Sequence, residues 1–188
     1  MSVHFKLELV SGPDNIRSLP KANDSGIWTA GDLLTLDATG KVDPRTAAAT
    51  SVADLENAFL GVGLTTEVTD ADCETTYIHV PVSVITPDQV WSIKVADGTT
   101  AADNYEIGVA YKIGYMADST AYDIDYASGG TARTVTVDEC YYLTTTEATD
   151  LSGAVVVATP ARGAGRDASY GGRVHIRFTP AACMQIHG

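Results

Sequence analysis

The chain has 188 residues, is 45% apolar, and carries 24 acidic against 12 basic side chains, for a net charge of −12. That length suits one domain whose core needs neither disulfides nor metals, and the apolar share argues against global disorder. The charge repels phosphate backbones and anionic lipid surfaces, so neither nucleic-acid nor membrane binding is expected.

The N-terminal run MSVHFKLELV alternates Val3, Phe5, Leu7 and Leu9 with His4, Lys6 and Glu8. Such a period of two reads as a strand, and the charges inside it exclude a secretion signal. Residues 11–25 hold Gly12-Pro13, Pro20 and several polar side chains, which predicts an extended arm or long loop. Its Ile16 and Leu19 are apolar and its Arg17 and Lys21 basic, a set suited to docking on a partner. Next, Gly31-Asp32 opens a strand over 33–36, Asp37-Ala38-Thr39-Gly40 reads as a turn, and Lys41-Val42 starts the return strand. Ser51 followed by early acids predicts one short helix over 51–58. In FLGVGL, 59–64, Gly61 and Gly63 flank Val62 and would let another backbone approach closely.

Ile78, Val80, Val82 and Val84 form a second alternating stripe, and Pro81 within it predicts a local edge or a bulge. Trp91, Ile93 and Val95 form a third, and Val174, Ile176 and Phe178 a fourth. Residues 154–158 are apolar throughout, which suits burial on both faces. Residues 97–104 read as a polar turn, and 118–131 and 161–172 as surface loops. The second of these loops concentrates Arg162 and Arg166, with Arg173 just beyond it, on an otherwise acidic chain. It is either a contact for an acidic partner or a solvated loop.

Together these segments predict a single all-β domain over 1–188: a compact antiparallel β-barrel or sandwich with an extended N-terminal arm and long loops. Two degenerate half-repeats are expected. AGDLLTL, FLGVGL and YIHVPV in the first half answer EIGVAYKIG, AVVVATP and GRVHIRF in the second. Two wound half-units closing into one barrel would suit this order.

No catalytic constellation stands out. His4, His79, His175 and His187 are scattered without metal-site spacing, and neither a G-x-S-x-G elbow nor a phosphate-cradling glycine loop occurs. Cys73, Cys140 and Cys183 are odd in number and form no CxxC pair, which suits folding in a reducing cytoplasm. Cys73 lies among Asp70, Asp72 and Glu74, which disfavour a thiolate. Asp123 and Asp125, with Asp118 nearby, are the best candidate for holding a cation, against a solvated acidic loop as the alternative. Trp28 and Tyr141-Tyr142 suit either an interface or the core. No cofactor is expected, and no enzymatic activity.

The unit GIWTAGDLLTLDATGKV, 26–42, followed by FLGVGL, resembles the capsid cement (decoration) proteins of tailed phages. There a "Gly-Asp, short strand, turn-Gly, strand, Gly-Val" unit recurs. The resemblance covers residues 26–64, with a looser echo toward the C-terminus. It implies a non-enzymatic virion protein made in the host cytoplasm. Such a protein would bind the major capsid protein on the capsid exterior, as a homo-oligomer, often a trimer. Ile16, Arg17, Leu19, Lys21, Arg162 and Arg166 are the candidate contact residues. A carbohydrate-binding or adhesin module of a virion fibre is the alternative, and a metal-dependent or hydrolytic barrel enzyme the third reading.

Overall fold

A computed structural model describes residues 7–22, 28–44, 53–55, 59–66, 78–95, 105–124, 133–148, 153–159 and 173–184. Period-two stripes rich in Val, Ile and Tyr favour extended chain, and the described residues form twelve strands. In chain order they are β1 (Glu8–Ser11), β2 (Ile16–Pro20), β3 (Leu33–Leu36), β4 (Val42–Pro44), β5 (Ala53–Leu55), β6 (Gly61–Gly63), β7 (His79–Val84), β8 (Val90–Val95), β9 (Ala110–Ile124), β10 (Arg133–Glu147), β11 (Ala154–Ala158) and β12 (Arg173–Phe178). A 3-10 turn follows at Pro180–Ala182, capped by the Thr179 side chain.

The strands make two sheets packed as a sandwich. The smaller has the order β2-β7-β6-β3-β4; the larger runs β1-β8-β10-β9-β11-β12, with β5 beside β9 and a further pairing of β8 with β12. All named strand pairs are antiparallel except β8 with β10. The expected all-β class holds, as a sandwich; the two halves do not close into one barrel, because the repeated strands β2, β3, β4, β6 and β7 lie in one sheet and β8 to β12 in the other.

The two sheets repeat one plan, residue for residue. In the first, Leu33 and Leu34 pair with Val62 and Gly61, which in turn pair with Ser83 and Val84. In the second, Ala110 and Tyr111 pair with Val155 and Ala154, which pair with Arg177 and Phe178. Outside these, β2 lies antiparallel on β7 as β8 lies on β12, so that Arg17 opposite Val82 corresponds to Trp91 opposite Ile176. In the first half a parallel bridge joins Lys21 to Val42; in the second, Leu143 of β10 lies parallel beside Val95. A sequence echo leads into both outer strands: Pro13-Asp14-Asn15-Ile16-Arg17-Ser18-Leu19 matches Pro87-Asp88-Gln89-Val90-Trp91-Ser92-Ile93 in type at most positions.

The main core lies between the sheets. Leu33, Phe59, Val62 and Ile85 from one side meet Trp91, Ile93, Val156, Val174, Ile176 and Phe178 from the other. A second cluster of Trp28, Leu34, Val42, Leu60, Val80 and Val82 fills the other face of the smaller sheet. Adjacent strand residues point to opposite faces, so burial of both Leu33 and Leu34 places β3 between the two clusters.

Several local expectations are corrected. Residues 16–20 are no arm: they are β2, paired with β7 from Ile16↔Ser83 to Pro20↔His79. Residues 53–55 are the strand β5 on β9, not helix, because pairing with a long neighbour overrides a weak local helix signal. The expected loop at 118–131 is strand through Ile124, paired with β10 as far as Arg133; residues 125–131 lie outside the described residues, as do 161–172 and 97–104. Residues 154–158 are buried on one face only, at Ala154 and Val156. Pro81 sits in an interior strand, yet Leu64 N–H donates to its carbonyl at 3.1 Å, just past the end of β6. A strand residue's N and O point the same way, so the missing N–H faces a neighbour whose ladder has already stopped.

Candidate interaction edge

Outer strand β2 carries three of the residues expected to meet a partner, Ile16, Arg17 and Leu19, and Lys21 follows directly after it. Val84 N–H donates to Asn15 O and Lys21 N–H to Ile78 O, both at 2.9 Å. Residues 15, 17, 19 and 21 therefore turn their backbone groups toward β7. Ile16, Ser18 and Pro20 turn theirs away from it. At residue 22 that outer side is taken: Ala22 N–H donates to Val42 O at 2.8 Å. At 16–18 no strand pairs with it among the described residues, and all three side chains are exposed, Ile16 by 57%.

The loop before β2 is fixed from below. Gln89 is wholly buried; its Nε2 donates to Pro13 O at 2.7 Å, and its Oε1 accepts from Thr86 N–H at 2.8 Å. Gly12 has φ 108°, and a Cβ there would stand 2.9 Å from Gln89 Cα. On the far side, Ser83 Oγ donates to Asp14 Oδ1 at 2.7 Å. These contacts hold the start of β2 in place, so the edge is a built surface and not a free tether.

The candidate residues separate accordingly. Ile16 and Arg17 are exposed on the edge strand. Leu19 is half-buried against the second cluster. Lys21 is corrected: it is 1% exposed, with Nζ 5.6 Å from the centre of the Trp28 ring, a cation–π geometry. It is a core element and does not reach a partner. Trp28 is likewise core; its indole N–H is buried without a hydrogen-bond partner among the described residues. Arg162, Arg166 and Asp125 lie outside the described residues. Asp123 is placed in β9 opposite Thr134.

Carboxylates near the resemblance unit hold turns. Asp32 Oδ2 accepts from Thr29 N–H at 2.7 Å and from Thr29 Oγ1 at 3.0 Å. Asp37 Oδ1 accepts from Thr39 N–H at 2.8 Å and Lys41 N–H at 2.9 Å. Slight burial alone would raise the Asp37 carboxyl, but the Lys41 and Thr39 hydrogen bonds and the Lys41 charge outweigh it, and its pKa lies below the ordinary value. Cys183 is buried, and burial with the Asp88 charge pushes its thiol up to about 11. His79 lies beside Pro20 and His175 beside Ser92, in different sheets. The described residues include no group of three or more His, Cys, Asp or Glu able to hold a metal ion, and no helix among them is long and apolar enough to cross a membrane.

Sequence reasoning missed β2 as a strand and the order of its edge. The signal was present in the Pro-Asp-Asn and Pro-Asp-Gln echo that leads into β2 and β8. No family model, curated protein or solved structure matches the chain.

Proposed function

We propose that this chain is a non-enzymatic virion structural protein that binds the outside of an assembled icosahedral capsid and stabilises it. The observation that carries the reading is the use to which the 26–64 unit puts its polar residues. Gly31 N–H donates to Gly63 O at 2.7 Å and Gly63 N–H to Asp32 O at 3.0 Å, while Asp32 and Asp37 spend their carboxylates on their own turns. This is scaffold chemistry of the kind the resemblance to cement proteins implies. Both tryptophans and Tyr105, Tyr111, Tyr141 and Tyr142 are buried, so these aromatics make no stacking platform for a sugar, and the adhesin alternative gains no support from them.

The mechanism is mass action. A ligand that binds the assembled lattice, and not its separated subunits, stabilises the lattice. The acidic surface suits a protein made in quantity, since it keeps free copies apart. Cosedimentation tests the reading: the purified chain should pellet with intact capsids of the tailed phage that encodes it and not with the unassembled major capsid protein. Light scattering on a sizing column should give a trimer. Absence from the capsid pellet at all ratios removes the proposal.

A further inference from the structure

The two halves differ at one place where their shared plan says they should agree. In the second half, the outer side of β8 at Val90, Trp91 and Ser92 is covered by β1, with Glu8 opposite Ser92, Leu9 opposite Trp91 and Ser11 opposite Val90. Trp91 is consequently 2% exposed and Ser92 buried. The corresponding positions of the first half are Ile16, Arg17 and Ser18. They pair inward with β7 as β8 pairs with β12, yet on the outer side no strand among the described residues meets them, and they stand exposed.

We propose that the β2 edge at Ile16–Ser18 is a β-augmentation site for an extended segment of another polypeptide, which lies antiparallel in the place β1 takes on β8 and sets a carboxylate opposite Arg17. Three observations select this occupant. The outward backbone groups of Ile16 and Ser18 form the unpaired row that a strand completes. The corresponding row in the second half accepts an antiparallel strand, so the geometry of the plan accommodates one. Directly opposed side chains in an antiparallel pair interact; where β8 presents Trp91 to Leu9, β2 presents an exposed guanidinium. That cation favours a carboxylate opposite it, while two whole copies of a chain of net charge −12 repel one another, which disfavours a second copy as the occupant. Pro20 limits the site at its far end, since it offers no N–H, and Val42 occupies the edge beyond it. The site therefore reads about three residues of partner backbone, with the central side chain set by charge. It holds whether or not the partner belongs to a capsid.

The test is amide hydrogen exchange on the full chain, read at Ile16 and Ser18. The probe is the peptide Phe-Lys-Leu-Glu-Glu-Val-Ser-Gly, which is the β1 sequence with glutamate at the position facing Arg17; its counterpart has lysine there. The glutamate peptide should slow both amides by about ten-fold or more near saturation, and the lysine peptide should not. Arg17 is exposed, so Arg17→Glu leaves the fold intact, and in that variant the preference should reverse. The proposal is overturned by equal protection from both peptides, by no protection from either, or by failure of the reversal. Protection of both amides in dilute protein without peptide also overturns it, since the chain then covers its own edge. So does protection that grows with protein concentration alone, because the occupant is then a second copy.

Discussion

Gly31 and Gly108 hold the same place in two copies of one turn. Their φ angles are 99° and 91°, as a type II turn requires at its third residue. Each turn closes across its ends, Asp32 N–H to Thr29 O at 3.1 Å and Val109 N–H to Glu106 O at 3.2 Å. Each glycine then donates to the corresponding strand of its own sheet, Gly31 to Gly63 O on β6 and Gly108 to Val156 O on β11 at 2.8 Å. Nothing would touch a Cβ at Gly108 within 4 Å, so only backbone conformation demands the glycine. Gly108→Ala should therefore lose about 1–2 kcal/mol in chemical denaturation, and Gly108→Asn less, since Asn tolerates that φ. Equal stability of the alanine variant and the wild type would mean the turn is not type II.

The same plan makes opposite demands at Gly61 and Ala154. A Cβ on Gly61 would press on the Ser83 carbonyl and stand 2.7 Å from Val82 Cγ1, so β6 and β7 would have to part. Ala154, its counterpart, is fully buried with its methyl accommodated. Gly61→Ala should cost about 3 kcal/mol from overpacking. Ala154→Gly should cost about 1 kcal/mol, from backbone entropy and a lost methyl. Melting curves of the two variants check the asymmetry, and a milder effect at Gly61 than at Ala154 would contradict the register given for β6.

Period-two stripes made the fold class legible, because a half-buried strand writes its two faces directly into sequence. Val80, Val82, Trp91, Ile93, Val174, Ile176 and Phe178 are all buried as their alternation requires. The half-repeats were legible as three matched segments each. β2 was hidden because only Leu19 of its residues packs inward, while Arg17 and Pro20 read as loop. β5 was hidden because Ser51 and the nearby acids mimic a helix start, and its partner β9 is distant in sequence. The two-sidedness of β3 follows from packing between two clusters, which a local window does not record. Of the candidate contact residues, Ile16 and Arg17 were legible as exposed, whereas Lys21 was not legible as buried: its neighbour Trp28 shares no local periodicity with it.

Val82 sits inside the smaller sheet, between Arg17 on β2 and Gly63 on β6, and is fully buried. Val82→Asp places an unpaired carboxylate against Leu34 and Val80 in the second cluster. The loss should exceed about 4 kcal/mol, a large share of a typical domain's stability. Circular dichroism and solubility are the readouts: the variant should be insoluble or lack a cooperative melt. A native-like Val82→Asp variant would move Val82 to the other face of β7.

Asp37 predicts a specific acid response. Its folded pKa lies below the unfolded value of 3.8 because the Lys41 and Thr39 hydrogen bonds prevail over slight burial. A depressed carboxyl contributes stability above the unfolded pKa and loses it as pH falls through the folded one. Other acids titrate in the same range, so the measurement is a difference. The melting-temperature gap between wild type and Asp37→Asn should shrink as pH is lowered from 5 to below the folded pKa. Asparagine keeps an oxygen for the turn, so the variant should remain folded throughout. A gap independent of pH would show that the carboxylate's charge contributes nothing to the turn.

Cys183 predicts the alkaline limb. It follows the turn at Pro180–Ala182 and bridges to Phe59, whose N–H donates to Ala182 O at 2.5 Å and whose carbonyl accepts from Met184 N–H at 2.9 Å. Burial, with Asp88 adding repulsion, raises the thiol from the ordinary 9.0 to about 11. Below 9 both folded and unfolded chains keep the proton, and the buried thiol costs nothing. Between 9 and 11 the unfolded chain ionises first and is favoured, so stability falls across that window. With Cys73 and Cys140 replaced by serine, iodoacetamide should react with the native protein far more slowly than with the urea-unfolded chain at pH 8.5, because the thiolate is the nucleophile. Cys183→Ala in that background should flatten the stability loss between pH 9 and 11, and Asp88→Asn should leave the onset near 9 and lower the upper end of the window only slightly, since burial is the larger cause. Labelling of the native thiol at the unfolded rate would place Cys183 at the surface and remove the packing of the C-terminal turn against Phe59.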